Sequence, residues 1–232
     1  MDQFSILHED PELLIANKLG PLPVQPEKSG DPSLQDLLRA RIAERDGAPL
    51  DAVFLEAAHR IDRRASGAIV FAKTSKSLST LEAAFRDRRV DKDYIACVER
   101  EPIPPAGKLQ NRLIWDKRRN VVRAMPYEKD APSLGILEYS LEGRSERYYF
   151  LQVRLVTGKH HQIRAQLSAA GWPIRGDLKY GARRSAPNGL IMLHARRLAL
   201  AQPRTGERLE IEAPFPSTEP LWAAFSPAVE GD

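Results

Sequence analysis

Cysteine is almost absent from this chain: Cys97 stands alone among 232 residues. A single thiol excludes an internal disulfide framework and any metal centre built from cysteines. It also suits a reducing compartment. Long apolar runs are missing too. None approaches the about 20 residues that a bilayer-crossing helix needs. The opening residues Met1-Asp2-Gln3-Phe4 lack the basic stretch and apolar core of a secretory signal. The cytoplasm is therefore the expected location, with no membrane partner. The chain shows no internal repeat, no low-complexity tract and no nucleotide-binding pattern. It also lacks a Gly-x-Ser-x-Gly elbow, which weakens a hydrolase built on Ser66 with His59 or His161.

What is present in quantity is charge. Charged residues make up 28% and hydrophobic residues 42%, the balance of a soluble globular protein of one large domain or two small ones. A net charge of +4 permits a polyanionic partner without demanding one. The distribution says more. Cations cluster at Arg60 to Arg64, Arg86 to Lys92, Lys117 to Arg123 and Arg175 to Arg184. Such clusters are usually solvated faces, but these four lie beside the segments singled out below, which favours an RNA-binding surface.

The periodicity predicts about ten short strands and three or four helices. Ile6 to Pro26 reads as a strand entering a proline-rich loop, with a turn signal at Glu9-Asp10-Pro11. Ser33 can cap a helix over Leu34 to Arg45 that stops at Gly47. Ser75 can cap a second, with Leu78, Leu81 and Phe85 on one stripe. Strands are expected over Gly67 to Lys73, Val90 to Glu99, Gly107 to Trp115 and Asn120 to Pro126. Others follow over Leu134 to Leu141, Arg147 to Val156, Leu190 to Leu200 and Glu207 to Ala213. Lys117-Arg118-Arg119 sits at a hairpin tip, and Glu142 to Ser145 reads as a turn. A helix should open at Thr157 and end near Gly171, and a short one should run from Glu219 to Phe225. The tail after Pro227 should fray. Hairpin connections dominate, which argues an α+β fold on a mixed, largely antiparallel bent sheet.

One stretch carries the chemistry. His59-Arg60-Ile61-Asp62-Arg63-Arg64-Ala65-Ser66-Gly67 sets a single carboxylate among arginines and runs into an apolar strand ending Ala72-Lys73. Neighbouring positive charge favours the ionised carboxylate, which can act as a nucleophile. The same arginines could hold a phosphate backbone. A surface loop with weak ion pairs is the plain alternative.

His-Arg-Ile-Asp-Arg-x-x-Ser-Gly resembles the central signature of the RluA-type pseudouridine synthases. Three further stretches resemble that family: Lys92-Asp93-Tyr94-Ile95-Ala96-Cys97-Val98, Thr157-Gly158-Lys159-His160-His161-Gln162-Ile163-Arg164, and Gly171 to Gly181. Ile6 to Lys18 and Leu193-His194-Ala195 support them. The chain departs from the pattern at Arg64, Ala65, Lys159 and His160; the family usually has Thr at positions 65 and 160. The resemblance implies a pseudouridine synthase fold with a central catalytic cleft, and conversion of a uridine in a stem-loop of rRNA or tRNA to pseudouridine. It implies Asp62, Arg164 and Tyr94 as catalytic residues, with Asp62 attacking the nucleoside or starting an elimination, Arg164 pairing with it and Tyr94 stacking on the uracil. Arg60, His59, Arg63, Ile163 and Leu193 are implied in RNA or uridine binding. The reaction needs no metal and no cofactor. A single catalytic domain over 1–232, without the separate RNA-binding domain that many relatives carry, is expected. A monomer is the simplest expectation, although the sequence leaves the oligomeric state open. The rival class is a non-catalytic RNA-binding or chaperone module on the same scaffold. The His160-His161 pair suggests no metal, because neighbours on a helix diverge by about 100°.

Overall fold

The structure is a computed structural model and describes residues 3–28, 30–186 and 188–225. The predicted tail after Pro227 lies outside them. The described residues form a mixed α+β structure with three α-helices and a largely antiparallel sheet, as the hairpin-rich pattern implies. They divide into two compact units: the described residues up to 91 with 195–215, and those of 92–194 with 216–225.

In the first unit, β1 (Phe4–Glu9) and β2 (Leu13–Lys18) form a hairpin where a single strand was expected. Asp10 closes it. Its carboxylate accepts the N–H groups of Glu12 at 2.7 Å and Leu13 at 2.9 Å. β2 also pairs with β4 (Ser66–Ala72), in register from Leu13 opposite Ala72 to Lys18 opposite Gly67. Both strands are buried along their whole length. That explains why they read as continuous apolar runs rather than alternating ones. The short β3 (Glu56–Ala57) pairs with the far end of β4, and β10 (Leu193–Ala201) and β11 (Arg208–Glu212) complete the strands, in the order β1-β2-β4-β10.

Helix α1 (Leu34–Asp46) starts at Ser33 with a full capping box to Asp36 and stops at Gly47, which adopts φ +63°. Its first N–H groups donate to Pro23 and Val24 of the proline-rich loop. Helix α2 (Ser75–Arg86) is capped by Thr74, one residue before the expected Ser75, because the Thr hydroxyl accepts from the Ser77 N–H. Its Leu78, Leu81 and Phe85 pack on Leu13, Val70 and Leu198, so the predicted stripe faces the core.

The second unit carries β5 (Asp91–Val98), β6 (Ala106–Asp116), β7 (Val121–Met125), β8 (Leu134–Arg144) and β9 (Tyr149–Leu155), in the order β5-β9-β8-β6-β7. β8 runs on through a bulge after Leu141 into the residues expected to turn. The chain reverses later, where Ser145 N–H meets the Tyr148 carbonyl at 2.8 Å. Helix α3 spans only Gln162–Ala169, and residues 157–161 are loop. The Gln162 side chain accounts for this. Its oxygen accepts from the Thr157 hydroxyl and the Lys159 N–H, while its nitrogen donates to the Ile136 carbonyl. The loop's polar groups are thereby satisfied without a helix. The last expected helix is a 3-10 turn over Pro220–Ala224, capped by Glu219.

Candidate active site

The predicted site residues lie in both units, and each set is built by its own surroundings. In the first unit the chain leaves β3 and runs beside β4 towards Asp62. Ala58 N–H donates to the Val70 carbonyl at 3.1 Å. The Val70 N–H then donates to His59 Nε2, also at 3.1 Å. An imidazole thus takes the place of a strand carbonyl along this part of β4. The same ring stacks on Phe85 of α2 at 4.5 Å. His59 is therefore engaged in holding the approach to the turn. Ile61 is buried beside it.

The turn closes when Ala65 N–H donates to the Asp62 carbonyl at 2.9 Å. Its far side is held by Lys18, a side chain the sequence did not single out. Lys18 is fully buried at the end of β2, and its Nζ donates to the carbonyls of Arg63 at 2.8 Å and Gly20 at 2.9 Å. Burial brings its pKa down to about 7, the negative charge of Asp62 works against that fall, and Arg63 adds to it. The sequence offered two signs of this lysine, its position ending an apolar strand and its place at the end of the Ile6 to Lys18 stretch that resembles the family. Gly67 follows at φ +117°, and a Cβ there would lie 2.4 Å from the backbone N and O of Ala195 on β10. Only glycine lets the two backbones approach so closely.

Asp62 itself is half-buried. The arginines around it diverge. Arg63 turns to the proline-rich loop, pairing with Asp31 at 2.7 Å and donating to the Pro21 carbonyl. Arg60 and Arg64 are exposed and make no ion pair among the described residues. Of the three arginines that flank Asp62 in sequence, two are thus open to solvent and one is tied to Asp31. Ser66 is 1% exposed, which removes the hydroxyl from any substrate and overturns the hydrolase reading.

In the second unit Tyr94 sits on β5 opposite Val153, largely buried. Ile163 on α3 and Leu193 at the start of β10 are enclosed apolar residues. Arg164 is buried on α3, and its Nε and Nη2 donate to the two carboxylate oxygens of Asp177 at 2.6 and 2.8 Å. This bidentate fork fixes the guanidinium plane. The Arg164 Cζ also lies 4.7 Å from the ring centre of Tyr180. Removing either partner of such a buried pair typically costs about 3–5 kcal/mol, because the other charge is stranded. Tyr180 is held in turn. Its hydroxyl accepts from the Val122 N–H at 2.8 Å and lies 2.8 Å from His161 Nδ1, while Ser168 donates to its carbonyl at 2.6 Å. Asp177 and Tyr180 come from the Gly171 to Gly181 stretch, which the composition alone presents as a punctuated loop. Its work is to grip α3.

His160 and His161 do not diverge as helical neighbours would. His161 is the N-cap residue at φ 51°, and the two rings stack at 3.9 Å. The geometric premise used against a metal site therefore fails, and one ring nitrogen of His161 is already engaged by Tyr180.

The sequence pattern of the RNA pseudouridylate synthases matches residues 12–169, which takes in Asp62, Tyr94 and Arg164. The chain belongs to that family. It is 30% identical over 215 residues to the dual-specificity RNA pseudouridine synthase RluA of Escherichia coli, covering 90% of this chain and 92% of that one. It is 32% identical to the ribosomal large subunit pseudouridine synthase C of Vibrio vulnificus, over 90% of this chain but only 65% of that relative's length. Among solved structures, human RNA pseudouridylate synthase domain containing 1 superposes with a TM-score of 0.76 at 23% identity, covering 97% of this chain and 88% of that one. Human RNA pseudouridylate synthase domain containing 4 gives 0.73 at 24%, with 92% and 89% covered. These two likenesses bear out the expected pseudouridine synthase fold.

Proposed function

We propose that this pseudouridylate synthase family member isomerises a uridine in structured RNA to pseudouridine, with Asp62 as the group that acts on the nucleoside. The observation that carries the proposal is the Asp62 turn. The turn that carries this half-buried acid is anchored before it by His59, which accepts from the Val70 N–H, and after it by fully buried Lys18, which donates to the Arg63 carbonyl, in a segment inside the family match. Such anchoring fixes the backbone from which the carboxylate projects, and positioning of a reacting group is a large share of catalytic power.

In the reaction the bond from the ribose C1′ to uracil N1 breaks and one from C1′ to C5 forms. The proton on C5 leaves to solvent and N1 takes one up, so atoms balance within the nucleotide. Asp62 either attacks the nucleoside or removes a sugar proton to open an elimination. Arg164, its orientation fixed by the bidentate contact with Asp177, serves as the cation that supports Asp62 in turnover. Tyr94 stacks on the detached base. Arg60 and Arg64, exposed beside the turn, suit phosphates of the substrate strand. Flipping the target costs less from a loop than from a duplex, so a stem-loop is the expected setting. The names of the relatives favour ribosomal RNA. We further propose a cytoplasmic location, in keeping with such a substrate.

The test is release of tritium from RNA labelled at uridine C5. Wild-type protein should release it, and Asp62→Asn should release none while retaining RNA affinity within about twofold, since a neutral isostere keeps the shape of the turn. Tritium release by Asp62→Asn at the wild-type rate would refute the assignment. Failure of the wild type to release any, with RNA still bound, would leave the binding-module reading in its place.

A further inference from the structure

We infer that the hairpin of β6 and β7 carries a second nucleobase site, in which an unpaired base of the RNA strand stacks on Trp115. The inference rests on the RNA substrate proposed above, and concerns this unit alone. Trp115 ends the inner face of β6, where Leu113 and, across the hairpin, Val122 lie alongside. Large aromatics on a sheet face are usually covered, yet Trp115 is 41% exposed, while Trp172 and Trp222 are buried. A cavity of about 450 Å³ opens beside it, lined by Leu113, Trp115, Val122, Ser133, Lys159 and His160. That volume is within the about 300–1,000 Å³ of small-ligand sites.

Trp115 is also the outer end of an aromatic series. His160 meets it edge-on at 5.3 Å, His161 stacks on His160, and His161 reaches Tyr180, over whose ring Arg164 lies. His160 stands where the family pattern has Thr, so this series depends on a departure from that pattern. Cations surround the outer end. Lys159 lines the cavity, the Lys179 Nζ lies 5.9 Å from the Trp115 ring centre, and Lys117, Arg118 and Arg119 follow at the hairpin tip. The Asp116 carboxylate makes no ion pair with the three tip cations, and instead accepts the backbone N–H groups of Arg118 and Arg119. An apolar floor, an aromatic plane and a rim of positive charge fit a base with phosphates on either side.

The test uses single-stranded octaadenylate RNA, the same strand with abasic ribose throughout, and free AMP, each titrated into the full chain. Octaadenylate should quench tryptophan fluorescence and the abasic strand should not. Trp115→Leu should weaken octaadenylate binding about tenfold, or about 1.4 kcal/mol, inside the range for one stacked base. The salt dependence of binding should stay unchanged, because no charge is lost. Trp115→Phe, which keeps a ring, should retain most of the affinity. Unchanged binding by Trp115→Leu, equal loss in both variants, or AMP bound as tightly as the octamer would each overturn the inference. Should Trp115→Leu fail to fold, the quenching contrast between the two strands decides alone. Base stacking without tritium release from labelled uridine would refute the isomerase reading and leave this site standing; release without stacking would refute this site only.

Discussion

Lys18 shows what a single side chain contributes here. Its amine is fully buried, donates to the Gly20 and Arg63 carbonyls, and carries a pKa brought down from 10.5 to about 7. Between these two values the folded chain binds fewer protons at this group than the unfolded chain does. Stability from Lys18 therefore rises with pH across that window, and the cost of burying the charged form is borne in full below pH 7. Lys18→Met removes the titration and leaves two carbonyls unpaired, at about 1–3 kcal/mol each. Urea melts at pH 6.5 and pH 9 should show the wild type gaining on Lys18→Met at the higher pH. Parallel behaviour at both would mean that Lys18 is solvated. The Arg164–Asp177 fork shows the same economy: a charge is buried only with its geometry fixed by a partner.

At the level of elements, the Asp62 turn depends on how closely β4 and β10 approach. Gly67 combines φ +117° with a virtual Cβ 2.4 Å from the Ala195 backbone. Gly206 has φ +75° but nothing within 4 Å. Gly67→Ala should therefore cost about 2–4 kcal/mol from strain and overpacking together, whereas Gly206→Ala should cost only about 1 kcal/mol from strain. Chemical denaturation of both variants checks this, and equal losses would show that β10 yields. Helix α1 was legible because its caps are local: Ser33, Asp36 and Gly47 lie within one element. The start of α3 was not. Gln162 satisfies the loop before it through Thr157 and Ile136, and the latter belongs to a strand far back in the chain.

For the molecule as a whole, a net charge of +4 is modest, and many arginines are spent internally. Arg45 meets Glu9, Arg63 meets Asp31, Arg197 meets Glu210 and Arg208 meets Asp91. The cations left open matter more than the total. Lys117, Arg118 and Arg119 are exposed and make no ion pair among the described residues. If each meets one phosphate, changing all three to Gln should lower the slope of log affinity against log salt by about 2, at about 0.7 per contact for a single strand. Binding of an RNA stem-loop at several salt concentrations measures it, and an unchanged slope would remove the hairpin tip from the interface.

The sequence by itself determined the elements whose signals are local: buried strands from apolar runs, helix ends from caps, the hairpin tip from its charges, and the family from short motifs. It also singled out Asp62 and Arg164. Only the tertiary structure decided what holds the Asp62 turn and the Arg164 side chain. Lys18 reaches Arg63 from 45 positions away, Asp177 reaches Arg164 from 13, and His59 turns to Val70. The reason is physical. Burying a charge or a polar ring requires a specific partner, and which partner is near enough is settled by how strands and helices pack, not by the order of residues along the chain.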